Sequence, residues 1–112
     1  TYGVGQGHIS LNRLVELCCT NPAKIFGLYP QKGTLAVGSD ADVVIWDPAA
    51  TRTMGVHTSH QRTDYNLYEG WAIRGVPEKV YLRGNLLVDG ATWNGEPGGG
   101  TWLKRHAHAP IV

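Results

Sequence analysis

The sequence predicts a mainly β fold with two N-terminal helices. Apolar residues keep helical spacing only before residue 30, where Leu11, Leu14, Val15 and Cys18 fall at i, i+3, i+4 and i+7. From Gly33 onward, short β-branched and aromatic runs take over, most clearly Val43-Val44-Ile45-Trp46. Turn residues separate these runs, drawn from 15 glycines and 6 prolines in 112 residues. Strands in such an arrangement form sandwiches or partial barrels.

Residues 1–8 carry Gly3, Gly5 and Gly7 and read as a flexible connector. A phosphate-cradling loop would need a strand before it and a Lys-Ser/Thr after it, and neither is present. Ser10 is a suitable N-cap for the first helix. Asn21-Pro22 restarts a second, with Asn as cap and Pro at the first helical position. Gly27 then closes that helix as its C′ residue. The stretch Gly33 to Pro48 reads as a turn, a short strand, a second turn at Gly38-Ser39-Asp40 and a strand covered on both faces. Pro48 is expected to end that strand, because proline cannot donate to a ladder. Thr51 to Met54 forms a further short strand, and residues 55–70 show no period and form a loop. Lys79-Val-Tyr-Leu-Arg83 and Leu86-Leu-Val88 flank Gly84-Asn85, which predicts a tight hairpin. Asp89-Gly90 supplies another turn, and residues 94–100 are loop.

A composition of 42% hydrophobic and 17% charged residues suits a folded chain. A net charge of +1 gives no electrostatic basis for binding nucleic acid. No apolar run approaches the roughly 20 residues that span a bilayer. The two cysteines, Cys18 and Cys19, are adjacent, so a strain-free disulfide between them is unfavourable. They read as reduced residues of the core or the helix flank, in a cytoplasmic setting. The chain opens on Thr1-Tyr2-Gly3 without a leader pattern, which reads as the middle of a longer protein.

Several side-chain groups invite a chemical reading. His106-Ala-His108 has the spacing of two metal ligands on one strand face, but it sits in the tail without a third ligand. His57 and His60 make a second pair in the long loop. Asp40 and Asp42 point to one side if extended and suit either a metal or a turn cap. Asp64-Tyr-Asn-Leu-Tyr-Glu-Gly-Trp71 is the densest polar and aromatic cluster. Within it Tyr65, Asn66, Tyr68 and Trp71 are candidates for a subunit contact. A ligand patch, or a loop pinned by its own aromatics, fits the same residues. No residue is assigned a catalytic, metal-binding or substrate-binding role.

Gly7 to Leu17, Thr20 to Pro30 and Lys32 to Pro48 together resemble the C-terminal part of the dihydropyrimidinase and D-hydantoinase family, within the amidohydrolase superfamily. Asp64-Tyr-Asn-Leu-Tyr-Glu-Gly70 is the discriminating motif. Arg83-Gly84 and the Gly-rich stretch before Trp102-Leu-Lys-Arg105 also match. The resemblance implies a parent with a (β/α)8 barrel and two zinc ions, whose metal-bound hydroxide opens a cyclic amide. Its metal ligands all precede Thr1 in family order, so no cofactor is expected in this chain and two zinc ions are expected in the parent. Residues 1–30 would then be the loop and last helices packed on the barrel, 31–105 the C-terminal part of a small β-sandwich, and 106–112 a tail. The implied partners are the remainder of the parent chain and further copies in a homo-oligomer, with neither nucleic acid nor membrane. Collapsin response mediator-type proteins, non-enzymatic relatives, resemble the same region. A free-standing binding module built on residues 64–71 is a third reading.

Overall fold

The computed structural model describes residues 1–108 and Pro110; Ala109, Ile111 and Val112, in the predicted tail, lie outside the described residues. The two predicted helices are one unbroken helical run. Helix α1 spans Leu11–Val15, a π-helical turn follows at Glu16–Thr20, and α2 spans Asn21–Ile25. Ser10 caps the run as expected, its Oγ accepting the Arg13 N–H at 3.1 Å.

Asn21, by contrast, caps nothing. It has helical φ −66 and ψ −45, and its N–H reaches the Glu16 carbonyl five residues back. Pro22 accounts for this. A proline lacks the N–H and its ring collides with the carbonyl four residues earlier, and a widened turn relieves both problems without breaking the helix. Gly27 ends the run at φ 66. The Leu28 N–H bonds the Ala23 carbonyl at 2.8 Å and the Gly27 N–H bonds the Lys24 carbonyl at 3.2 Å, the paired bonds of a Schellman motif.

Strands β1 (Val43–Thr53), β2 (Ala72–Leu82), β3 (Asn85–Asp89) and β4 (Thr92–Trp93) form one antiparallel sheet in that order. Three details differ from expectation. No strand forms between Gly33 and Gly38. Pro48 does not end β1, because the register jumps between Asp47 and Thr51 and leaves it in a bulge, where no ladder N–H is required. Asp47 Oδ1 holds that bulge by accepting the N–H groups of Ala49 at 2.8 Å and Ala50 at 3.1 Å. The β2–β3 turn is Arg83-Gly84 and not Gly84-Asn85, since Leu82 pairs with Asn85 and both turn residues have positive φ, 49 and 81.

Little of the described chain is buried. Among the described residues the buried hydrophobics are Ala23 and Val76, and no large side chain is fully buried. Val44, Ile45 and Trp46, expected to be covered on both faces, are 52%, 43% and 55% exposed, because no other element among the described residues lies over that part of β1. Leu11, Val15, Ile25 and Phe26 are likewise exposed along the helical run. Direct packing between the helical run and the sheet is marginal, so loops join the two.

Candidate functional site

The segment between β1 and β2 closes on itself. The Met54 N–H bonds the Trp71 carbonyl and the Gly70 N–H bonds the Met54 carbonyl, each at 2.8 Å, which brings the ends of the loop together. Inside it, a short 3₁₀ turn at Val56–Thr58 is fixed from across the loop by Glu69, whose Oε2 accepts the Val56 N–H at 3.0 Å. Gly55 gives Glu69 its place, since a Cβ there would lie 2.9 Å from Oε1. Asn66 Oδ1 accepts the Tyr68 N–H at 2.9 Å, a local Asx turn. Gln61 Nε2 and the Thr63 hydroxyl both donate to the Tyr65 carbonyl, at 2.9 and 3.1 Å.

The four candidate contact residues therefore divide. Tyr68 and Trp71 meet edge to face at 5.1 Å between centroids, and Tyr2 joins Trp71 at the same 5.1 Å from the N-terminal segment. The Asn66 side-chain oxygen is engaged inside the loop. Tyr65 is 64% exposed, beside the still more open Leu67. Tyr65, Asn66, Val56, His57, Asp64 and Glu69 line an open groove of about 500 Å³. Its chemistry suits a surface that accepts hydrogen bonds and presents aromatic area. Sequence reasoning did not foresee Tyr2 in the aromatic group, or Glu69 as the pin, because both act across long sequence separations.

The other candidates fall elsewhere. His60 stacks tilted on Trp93 at 5.8 Å between centroids. The His106 N–H bonds the Gly27 carbonyl at 2.8 Å, so the tail folds back on the end of the helical run while the His106 ring stays exposed. Cys18 and Cys19 are free and exposed, which places them on the helix flank and not in the core. Among the described residues no three His, Cys, Asp or Glu side chains come together to hold a metal.

Asp40 and Asp42 share a cation. Lys32 Nζ lies 2.9 Å from Asp40 Oδ2 and also donates to Asp42 Oδ2. Asp42 Oδ1 accepts the Arg83 N–H at 2.9 Å. Burial opposes the charge on Asp42, but the Lys32 ammonium and the Arg83 N–H outweigh it and hold the carboxyl below its ordinary range. Burial likewise opposes the charge on Lys32, and the two carboxylates outweigh it and raise the lysine above its usual value. The pair is bound up in turn structure, the second of its two sequence readings.

The amidohydrolase family model matches residues 1–87. The chain is 51% identical over 106 residues to the D-hydantoinase of Ralstonia pickettii, covering 95% of this chain and 23% of that protein. It is 44% identical over 110 residues to the dihydropyrimidinase of Rattus norvegicus, covering 98% of this chain and 21% of that protein. A solved D-hydantoinase structure superposes with TM-score 0.92 at 50% identity, covering 96% of this chain and 24% of that one. The dihydropyrimidinase structure from Brevibacillus agri gives TM-score 0.93 at 45% identity, covering 97% and 24%. The chain thus spans less than a quarter of the length of these relatives.

Proposed function

Because this chain belongs to the amidohydrolase family, we propose that it is the C-terminal, non-catalytic portion of a hydantoinase- or dihydropyrimidinase-type enzyme. The whole enzyme hydrolyses the cyclic amide of hydantoins or dihydropyrimidines to N-carbamoyl amino acids. Its two zinc ions and their ligands belong to the part of the protein outside this chain. Residues 1–30 pack on a catalytic barrel, residues 31–105 complete a small sandwich, and Tyr65, Asn66, Tyr68 and Trp71 face another subunit of a homo-oligomer. The setting is cytoplasmic, in keeping with the free thiols of Cys18 and Cys19. Among the described residues no helix is long and apolar enough to cross a membrane.

The observation that carries this reading is 51% identity to a D-hydantoinase over 95% of the chain. Exposed apolar residues along the helical run and β1 support it, because they present surface that a larger body would cover. The test is a chimera in which this chain replaces the matching segment of the Ralstonia pickettii D-hydantoinase. The expected outcome is a zinc-dependent hydantoin hydrolase, alongside a free 112-residue chain that neither hydrolyses hydantoin nor binds zinc stoichiometrically. Hydrolysis by the free chain, or a folded but inactive chimera that still holds zinc, overturns the reading.

A further inference from the structure

The helical run and the sheet touch only marginally, and three loop ties stand out between the N-terminal part of the chain and the remainder. Thr1 Oγ1 bonds the Arg74 backbone, donating to its carbonyl at 2.9 Å and accepting its N–H at 2.6 Å. The His106 N–H reaches the Gly27 carbonyl. The third tie is made by the two residues just before β1, which carry the β1–β2 pairing on to the β2–β3 turn. There Asp42 Oδ1 accepts the Arg83 N–H, and the Ala41 carbonyl accepts the Gly84 N–H, both at 2.9 Å.

This third tie depends on charge, and it meets the chain where the backbone is least at ease. Arg83, at φ 49, is the non-glycine residue with positive φ among those described. Asp42 bonds it directly, and the Arg83 guanidinium extends the tie by donating to the Gly99 carbonyl at 2.6 Å. Asp42 is itself held by Lys32, which also gathers Asp40, and Gln31 Nε2 donates to Asp40 Oδ2 at 3.3 Å. The charged groups facing Asp42 are therefore Lys32, Asp40 and Arg83.

We propose that Lys32 is a positioning residue: by gathering Asp40 and Asp42 it aims Asp42 at the Arg83 N–H and clamps the left-handed Arg83-Gly84 turn to the segment leaving the helices. The Lys-Gly-x-Leu-x-x-Gly-x-Asp-Ala-Asp pattern then encodes an ion clasp that ties the loop after the helices to the end of the β1–β2 pairing, where Val43 already faces Tyr81. This does not rest on the hydrolase reading and stands or falls separately from it.

The test is residue-resolved hydrogen exchange across acidic to neutral pH, on the 112-residue chain and on the same segment carried within the chimera. In the wild type, protection at Arg83 and Gly84 is expected to be level at neutral pH and to fall about fivefold once Asp42 is protonated. Lys32→Met should show the same loss already at neutral pH, while the β2–β3 ladder amides keep their protection. Lys32→Arg should restore it. Asp42→Asn, which keeps the acceptor oxygen and loses the charge, should remove the pH dependence and supplies the test if Lys32→Met does not fold. Full protection at Arg83 and Gly84 in Lys32→Met, or a wild-type pH profile in Asp42→Asn, overturns the proposal. So does a ladder that loses protection in step with the turn.

Discussion

At Gly75 the backbone takes φ 88 in the middle of β2, directly beneath the Trp46 indole. A Cβ there would lie 2.8 Å from Trp46 Nε1, so a side chain would meet both backbone strain and a ring. Gly70 has a similar φ of 79 but nothing within 4 Å of its would-be Cβ. Gly75→Ala is expected to cost about 1–3 kcal/mol and to shift the Trp46 emission, with Gly70→Ala costing less. Urea midpoints of the two variants, read by tryptophan fluorescence, separate the steric part from the backbone part. Equal losses would mean that Trp46 yields freely. Neither glycine's role is legible locally. Arg74-Gly75-Val76-Pro77 resembles a strand breaker, and what makes Gly75 necessary is a ring from β1, 29 positions earlier in the chain.

Elements whose cause lies within a few residues could be read from the sequence. Ser10 as cap, Gly27 as C′ residue, and the existence though not the register of the β2–β3 hairpin all depend on neighbours in the chain, and each is present. Elements set by distant partners could not. The hairpin turn lies one residue earlier than expected, at Arg83-Gly84, and the Arg83 N–H there meets Asp42, 41 positions away. Pro22 became the reason for a π turn where a break was expected, since the helix continued against the Gly33 loop, with the Thr20 hydroxyl bonding the Gly33 carbonyl at 2.9 Å. The clasp also sets a pH dependence. Asp42 has a folded value below its unfolded one, so its contribution is present above about pH 4 and fades as pH falls through the lowered folded value. Lys32 has a raised folded value, so its contribution is present below about pH 10.4 and fades as pH rises through the raised value. Each limb should amount to no more than about 1 kcal/mol for groups this close to solvent. Urea midpoints measured against pH should show both limbs in the wild type, and Lys32→Met should reduce the alkaline one, to which Lys79 beside Asp89 also belongs, and weaken the acid one.

The whole molecule exposes 8480 Å² at 12.2 kDa, whereas a folded monomer of that mass exposes about 6,100 Å². The excess is roughly 2,400 Å², on the scale of a large obligate interface. The radius of gyration agrees, at 15.7 Å against about 13 Å for a compact chain of this length. A chain in which Ala23 and Val76 are the buried apolar side chains among those described gains little from folding alone, because burial supplies most of the favourable free energy. It does carry ordered local structure, and a superposition at TM-score 0.92 on a D-hydantoinase says that this local structure is the one used in a much larger body. The free chain is therefore expected to associate as its concentration rises and to melt with weak cooperativity. The same sequence within the chimera should melt with the whole enzyme. Sedimentation over a concentration series, paired with calorimetry of both proteins, reads the two expectations together. A free chain that stays monomeric and melts sharply would mean that the exposed faces of the helical run and β1 need no covering. The proposal that they pack against the rest of an amidohydrolase would then lose its physical support.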